Sequence, residues 1–215
     1  MTEAPAPFAP VLLRIVGPPA VGKMTVGHEI ALRTGLRLFH NHVAIEPALR
    51  FFDFGTPPFA RLVGGFRRAV IEEVAASELP GLILTFVQAF DDPRDAETLE
   101  GYAEPFRRRG GRVLLLELEA STPERLRRNE SAFRLAEKPS KRDLAASRRR
   151  LLAADGRHRL NSAGEYADRP GYLRIDNTDR SPGEVADHVV RHFGLAARAP
   201  ESGEGGTGPA PGGPR

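Results

Sequence analysis

The 215-residue chain has no cysteine, no tryptophan, two methionines, three tyrosines and three lysines. Without cysteine there is no disulfide framework, no thiolate metal site and no cysteine nucleophile. That composition suits a reducing compartment, and a cytoplasmic location is expected. No apolar run approaches the roughly 20 residues that cross a bilayer, so no membrane partner is expected. The first residues carry Glu3, Pro5, Pro7 and Pro10 where a secretory signal would have a basic stretch and an apolar core. Internal repeats are also missing. The length allows one large domain or two small ones, and a chain of this size buries about 70% of its unfolded surface without a covalent staple.

Arginine is abundant instead. There are 28 arginines against a formal net charge of only +3. Between Arg107 and Arg159 stand 16 basic and 7 acidic residues, an excess that suits a phosphate-bearing ligand and also describes a solvated arginine-rich face. Of the 22 glycines and 19 prolines, 13 fall in residues 1–10 and 196–215, and residues 196–215 contain six glycines, four prolines and no aromatic or branched apolar side chain. Such a segment has nothing to offset the entropy of ordering, so 196–215 is expected to be a disordered tail, 1–10 a disordered arm, and 11–195 one folded domain.

Within 11–195, short apolar runs alternate with helical patterns. Val11–Val16, Leu36–Phe39, Leu82–Val87, Val113–Glu117 and Tyr172–Ile175 read as buried parallel strands. After Thr56-Pro57-Pro58, the residues Phe59, Leu62, Val63, Phe66, Val70, Ile71 and Val74 share one face of a helix. Thr122-Pro123 and Ser181-Pro182 each place a capping hydroxyl before a first-turn proline, and Glu184 completes a capping box with Ser181. Val185, Val189, Val190 and Phe193 then face the core. This alternation predicts an α/β sandwich with ligands at the carboxyl ends of the strands.

The strongest chemical signal follows the first strand at once: Gly17, Pro18, Pro19, Ala20, Val21, Gly22, Lys23, Met24 and Thr25. The pattern G-x-x-x-x-G-K between a strand and a helix is a phosphate cradle. Its glycines let backbone N–H groups turn inward, the helix N-terminus adds partial positive charge, and the lysine reaches the outer phosphates. Met24 stands where a serine or threonine would hold Mg²⁺, which leaves Thr25 to meet a phosphate or the ion.

GPPAVGKMT resembles the loop of the adenylate-kinase group, typically GPPGAGKGT, which also lacks a hydroxyl directly after the lysine. The order of elements, and Ile175-Asp176-Asn177-Thr178 followed by Ser181-Pro182-Gly183-Glu184-Val185, resemble shikimate kinase and chloramphenicol phosphotransferase. The resemblance spans roughly Val11 to Leu195. It implies a three-layer P-loop NTPase fold with a five-stranded parallel sheet in the order 2-3-1-4-5 and a short lid. It also implies ATP as donor, Mg²⁺ as companion, and Asp176, Asn177 and Thr178 beside the adenine.

In those families a helix ending in arginines leads into the lid, which makes Arg127, Arg128 and Arg134 the lid candidates, with Lys138 behind them. Arg127 and Arg134 would act on the transferring phosphoryl group and Arg128 on the nucleotide. The acceptor would bind beyond the second and third strands. The families carry an aspartate at the end of the second strand; this chain has His40, Asn41 and His42, and no carboxylate until Glu46. A neutral imidazole takes a hydroxyl proton near pH 7, so His42 or His40 is the candidate base, against a simple capping or core role. Asp91 and Asp92 follow the third strand, where they serve as Mg²⁺ ligands or base, or else cap the helix that begins at Pro93. Phe51, Phe52 and Phe54 suggest a partly apolar acceptor.

Three functions are compatible with these features. The first is an ATP-dependent kinase acting on a hydroxyl of a small metabolite or antibiotic-like molecule. The second is a nucleoside or nucleotide kinase, using Arg50, Arg61, Arg67, Arg68 or Arg94 on the acceptor's phosphate. The third, a nucleotide-dependent RNA binder, lacks the aromatic stacking platform such proteins use, so nucleic acid is not the expected partner. Both a monomer and a homodimer fit the composition.

Overall fold

The computed structural model describes residues 9–131, 137, 140 and 142–198. Its elements follow in the order β1 (Val11–Val16), α1 (Lys23–Thr34), β2 (Arg37–Phe39), α2 (His42–Ala48), α3 (Pro57–Ala76), β3 (Gly81–Thr85) and α4 (Pro93–Arg108). Then come β4 (Arg112–Glu119), α5 (Thr122–Asn129), α6 (Leu144–Arg157), β5 (Tyr172–Asp176) and α7 (Pro182–Phe193). The five strands form one sheet in the order β2-β3-β1-β4-β5. All four pairings are parallel, with Leu13 level with Ile83 on one side and Leu114 on the other. The expected fold class and strand order are therefore found.

Both faces of the sheet are covered, which is why its strands read as unbroken apolar runs. Along β1, Leu12 and Val16 enter a core with Phe59, Val63 and Ile71 of α3 and Leu99 and Phe106 of α4. Leu13 and Ile15 enter a second core with Val26 and Ile30 of α1 and Val185, Val189 and Phe193 of α7. The period-two alternation of a strand thus assigns helices to opposite layers. Arg14 lies on the first face, where its guanidinium donates to the Leu99 carbonyl at 3.3 Å and pairs with Glu100 at 2.9 Å. Among the described residues no helix is long and apolar enough to cross a membrane.

The helices follow local chemistry with two departures, one at a helix end and one on a helix face. Ser181 and Glu184 form the expected capping box on α7. At α5, however, Ser121 occupies the cap position and Thr122 is already helical. The Thr122 hydroxyl is taken by Arg125 at 3.0 Å, so it is not the cap. On α3 the buried stripe is narrower than expected: Phe59, Val63 and Ile71 are buried, but Leu62 and Phe66 are about half exposed. Phe66 still meets the edge of the sheet, its ring standing edge-on to Phe39 of β2 at 6.0 Å between centroids.

The sheet order puts β1 at the topological switch point, with β3 and β4 continuing in opposite directions from it. Loops at the carboxyl ends of these strands splay apart and leave a crevice there.

Candidate active site

The crevice is a single cleft of about 1810 Å³, lined at one end by Pro19 to Val26 and at the other by residues of α2, α3 and the chain after β3. A pocket for one small ligand typically measures about 300–1,000 Å³, so this cleft has room for two.

Gly17 leaves β1 with φ 133°, and a Cβ there would sit 2.2 Å from the Leu118 carbonyl oxygen. Only glycine lets the chain turn so close to β4. Gly22, with φ 109°, caps α1, whose first turn lines the cleft and leaves its first amides without intrahelical partners. Between them Ala20 adopts φ 62°, the one non-glycine residue with positive φ among those described. The Lys23 ammonium folds back on the loop, donating to the Gly17 carbonyl at 2.5 Å and the Pro18 carbonyl at 2.8 Å. Met24 is buried and Thr25 half-buried, and both line the cleft.

Two arginines of α5 hold this loop from outside. Arg128 donates to the Val21 carbonyl at 2.9 Å and to the carbonyls of Asn177 at 2.7 Å and Thr178 at 3.0 Å, while its Nε meets Glu124 at 2.7 Å. Asn177, almost fully buried, donates its side-chain amide to the same Val21 carbonyl at 2.9 Å. Arg125 is buried in a two-point pair with Asp155 of α6 at 3.0 and 2.5 Å. Arg127 is exposed and pairs with Glu124 at 2.6 Å. Its hydrogen bond, joined by that of Arg128 and only partly opposed by burial, holds Glu124 down at a pKa of about 2. From α6, one helical face contributes Arg150 and Arg157 to the cleft, and neither pairs with a carboxylate among the described residues.

At the acceptor end, α2 begins at His42 and turns it into the cleft. Its Nδ1 lies 2.7 Å from Glu46 Oε1, one turn along the same helix. Ser140 donates to this carboxylate through its hydroxyl at 2.6 Å and its amide at 3.2 Å. Burial alone would raise the Glu46 pKa; the hydrogen bonds from Ser140 and His42 outweigh it and hold the carboxyl below its ordinary range. A histidine whose Nδ1–H is held by a carboxylate presents Nε2 as a proton acceptor. His40 does not line the cleft, and its Nε2 is 3.5 Å from Glu137. Arg67 of α3 lines the cleft, donates to Asn41 Oδ1 and lies 5.9 Å from the Phe86 ring centroid. Burial pulls its pKa below the ordinary guanidinium value, against a smaller opposing effect of Tyr102.

The expected site residues thus fall into three groups. Pro19, Ala20, Val21, Gly22, Lys23, Met24, Thr25, His42, Arg127, Arg128, Asn177 and Thr178 surround the cleft. Gly17, Pro18, His40, Asp91, Asp92 and Asp176 do not line it. Arg134 and Lys138 lie outside the described residues. Asp92 caps α4 through the Arg94 amide at 3.1 Å and grips the Arg94 side chain, interactions that hold its pKa at about 2. Asp91 accepts from the Arg159 amide at 3.1 Å and approaches His158 at 3.6 Å. Asp176 turns its carboxylate onto Thr178, whose hydroxyl donates to it at 2.7 Å, so it shapes the loop that Asn177 and Thr178 occupy. Of the three candidate metal ligands, Thr25 alone lines the cleft. No cluster of three or more histidine, aspartate or glutamate side chains suited to a metal occurs among the described residues. A lone hydroxyl from the loop suits an ion that keeps phosphate oxygens and water as most of its ligands, as Mg²⁺ does.

The fold is one that solved small-molecule kinases share. Among solved structures, the chain superposes on a sugar kinase from Janibacter sp. (TM-score 0.54, 16% identity, 87% of this chain and 96% of that one). It also matches a gluconokinase from Sinorhizobium meliloti (TM-score 0.52, 12% identity, 88% and 94%). A third match is the APS kinase of Mycobacterium tuberculosis, solved with AMPPNP and APS (TM-score 0.53, 14% identity, 87% and 99%). No family model and no curated protein matches the sequence.

Proposed function

We propose that the protein is a kinase that transfers the γ-phosphoryl group of ATP to a hydroxyl of a small molecule. The observation that carries this reading is the single cleft joining a phosphate loop to the His42–Glu46 pair. Lys23 would leave the carbonyls of Gly17 and Pro18 for the β- and γ-phosphates, and Arg127, Arg150 and Arg157 would offset charge on the transferring group. His42 would accept the proton of the acceptor hydroxyl as its oxygen bonds to the γ-phosphorus, the bond to the bridging β–γ oxygen breaks, and ADP departs. Glu46 would keep the His42 ring oriented. Mg²⁺, entering with ATP and meeting Thr25, would supply further charge neutralisation.

The test is an ADP-release screen over metabolites and antibiotics, with Lys23→Ala as the blank and His42→Ala and His40→Ala run separately. Turnover that survives Lys23→Ala refutes the reading; turnover that survives both histidine changes removes the imidazole base. The nucleotide-kinase alternative has less support, because of its five candidate arginines only Arg67 and Arg68 line the cleft. Nucleoside monophosphates in the same screen decide it.

A further inference from the structure

His42 and Glu46 share one face of α2, a helix of seven residues. On a helix surface an i,i+4 pair of this kind shifts an equilibrium by only about twofold. By itself it would fix neither the orientation of the His42 ring nor the nitrogen that carries its proton. The carboxylate is held from outside the helix. Ser140, 94 residues on, donates its hydroxyl to Glu46 Oε1 at 2.6 Å and its amide to Oε2 at 3.2 Å. Oε1 is also the oxygen that meets His42 Nδ1 at 2.7 Å. Both carboxylate oxygens are engaged, which fixes the plane of the group as well as its position.

The three side chains stand in two layers. His42 and Ser140 line the cleft, whereas Glu46 lies behind them and does not. The His42 side chain is 13% exposed and that of Glu46 22%, so water competes little for these hydrogen bonds. Among the described residues, His42 and Ser140 are the partners Glu46 has. Their hydrogen bonds hold its carboxyl below the ordinary range, so at neutral pH it only accepts and the proton between it and His42 belongs to Nδ1. Ser140 comes from the chain between α5 and α6, the helices that bring Arg127, Arg150 and Arg157 to the cleft. From the same stretch Glu137 comes within 3.5 Å of His40 Nε2. The connection between the arginine helices therefore reaches both histidines, and it meets the one in the cleft through Glu46.

We propose that Ser140 is a positioning residue of the reaction: through Glu46 it keeps the His42 proton on Nδ1 and presents the Nε2 lone pair to the acceptor hydroxyl. This rests on the kinase reading and adds to it the residue that gives the base a fixed geometry. A neutral imidazole carries one proton, so fixing it on Nδ1 makes Nε2 the acceptor. Ser140 acts on the ring only through the carboxylate. The shared oxygen, Glu46 Oε1, is what ties the serine hydroxyl to the tautomer; a serine that merely anchored its own stretch of chain would have no hold on it.

Long-range nitrogen–proton correlation spectra of the isotope-labelled full-length protein test this without any ligand, at a pH where the ring is neutral. His42→Gln identifies the His42 signals among those of the six histidines. The wild type is expected to show the Nδ1–H tautomer. In Ser140→Ala the ratio of Nδ1–H to Nε2–H should fall at least about fivefold, the weight of one net hydrogen bond. Glu46→Ala should lower the ratio too, and adding Ser140→Ala to it should change nothing further, because the serine acts through that carboxylate. His28, His158, His188 and His192 should keep their signals in every variant. An Nε2–H wild type, an unchanged ratio in Ser140→Ala, or a further fall in the double variant each overturns the proposal. So does a Ser140→Ala spectrum in which the four distant histidines shift as well, since that would make Ser140 a general structural anchor. ATP binding lost on Lys23→Ala reports separately on the kinase reading, so the two can fail independently.

Discussion

Arg128 and Asn177, 49 residues apart in sequence, donate hydrogen bonds of equal length, 2.9 Å, to one acceptor, the Val21 carbonyl. Arg128 also holds the carbonyls of Asn177 and Thr178. One guanidinium therefore fastens the phosphate loop to the loop after β5. The side chain expected to bind nucleotide directly is largely spent on shaping its site. Arg128→Ala should remove one donor from each of three carbonyls, of which Val21 keeps Asn177, at about 1–3 kcal/mol for charged hydrogen bonds. ATP affinity should fall about tenfold or more, and Arg128→Lys, which cannot reach all three, should recover only part of it. Calorimetric titration with ATP and thermal melts of both variants check this.

Ala20 sits in the left-handed region at φ 62° inside that same loop. A small side chain tolerates this conformation at a cost of order 1 kcal/mol; a β-branched one is a genuine outlier there. Ala20→Val should destabilise the protein by at least about 2 kcal/mol and weaken ATP binding, while Ala20→Gly should stay within about 1 kcal/mol of the wild type. Urea unfolding of the pair decides it.

The carboxylates that hold α5 and α2 give stability a predictable acid limb. Glu124 is held at about 2, first by the Arg127 hydrogen bond and then by Arg128. Its folded value lies below the unfolded one, near 4.3, so its contribution is complete above that pH. The contribution disappears as pH falls from there toward 2. Glu46, lowered by Ser140 and His42 against the opposing effect of burial, acts in the same direction. Denaturation midpoints measured from pH 5 to pH 2.5 should fall less steeply for Glu124→Gln than for the wild type.

What could be read from the sequence was whatever the chain decides locally. The strands of the sheet, the loop from Gly17 to Thr25 and the capping box at Ser181 and Glu184 depend on residues within a few positions of one another. The uncertain assignments depended on distance. Asp91 and Asp92 have the right chemistry for a metal or a base, but the proline after Asp92 already marked a helix start, and the cap is what Asp92 became. Arg125 looked like its neighbours in an arginine-rich helix; only the fold brings Asp155 to it from α6. The i,i+4 spacing of His42 and Glu46 was a legible signal, since residues so spaced share a helix face, but it needed α2 to be recognised as a helix. Arg67 became visible as an unpaired cation only once its neutral surroundings were known.

Arg150 and Arg157 were missed for the same reason, and they carry the final prediction. They lie seven residues apart on α6, both reach the cleft, and neither has a carboxylate partner among the described residues. Side chains in that state are available to a triphosphate, whose charge is concentrated at its outer end. If they face that end, their loss should hurt ATP more than ADP, and ADP more than AMP. Each substitution, Arg150→Ala or Arg157→Ala, should cost ATP affinity about tenfold, in line with one charged hydrogen bond. AMP affinity should change by less than about twofold, and the ATP effect should shrink as salt screens these exposed charges. Equal losses for all three nucleotides would instead place the arginines beside the base or the ribose. The ratio of ATP to ADP dissociation constants, measured at low and high ionic strength, separates the two.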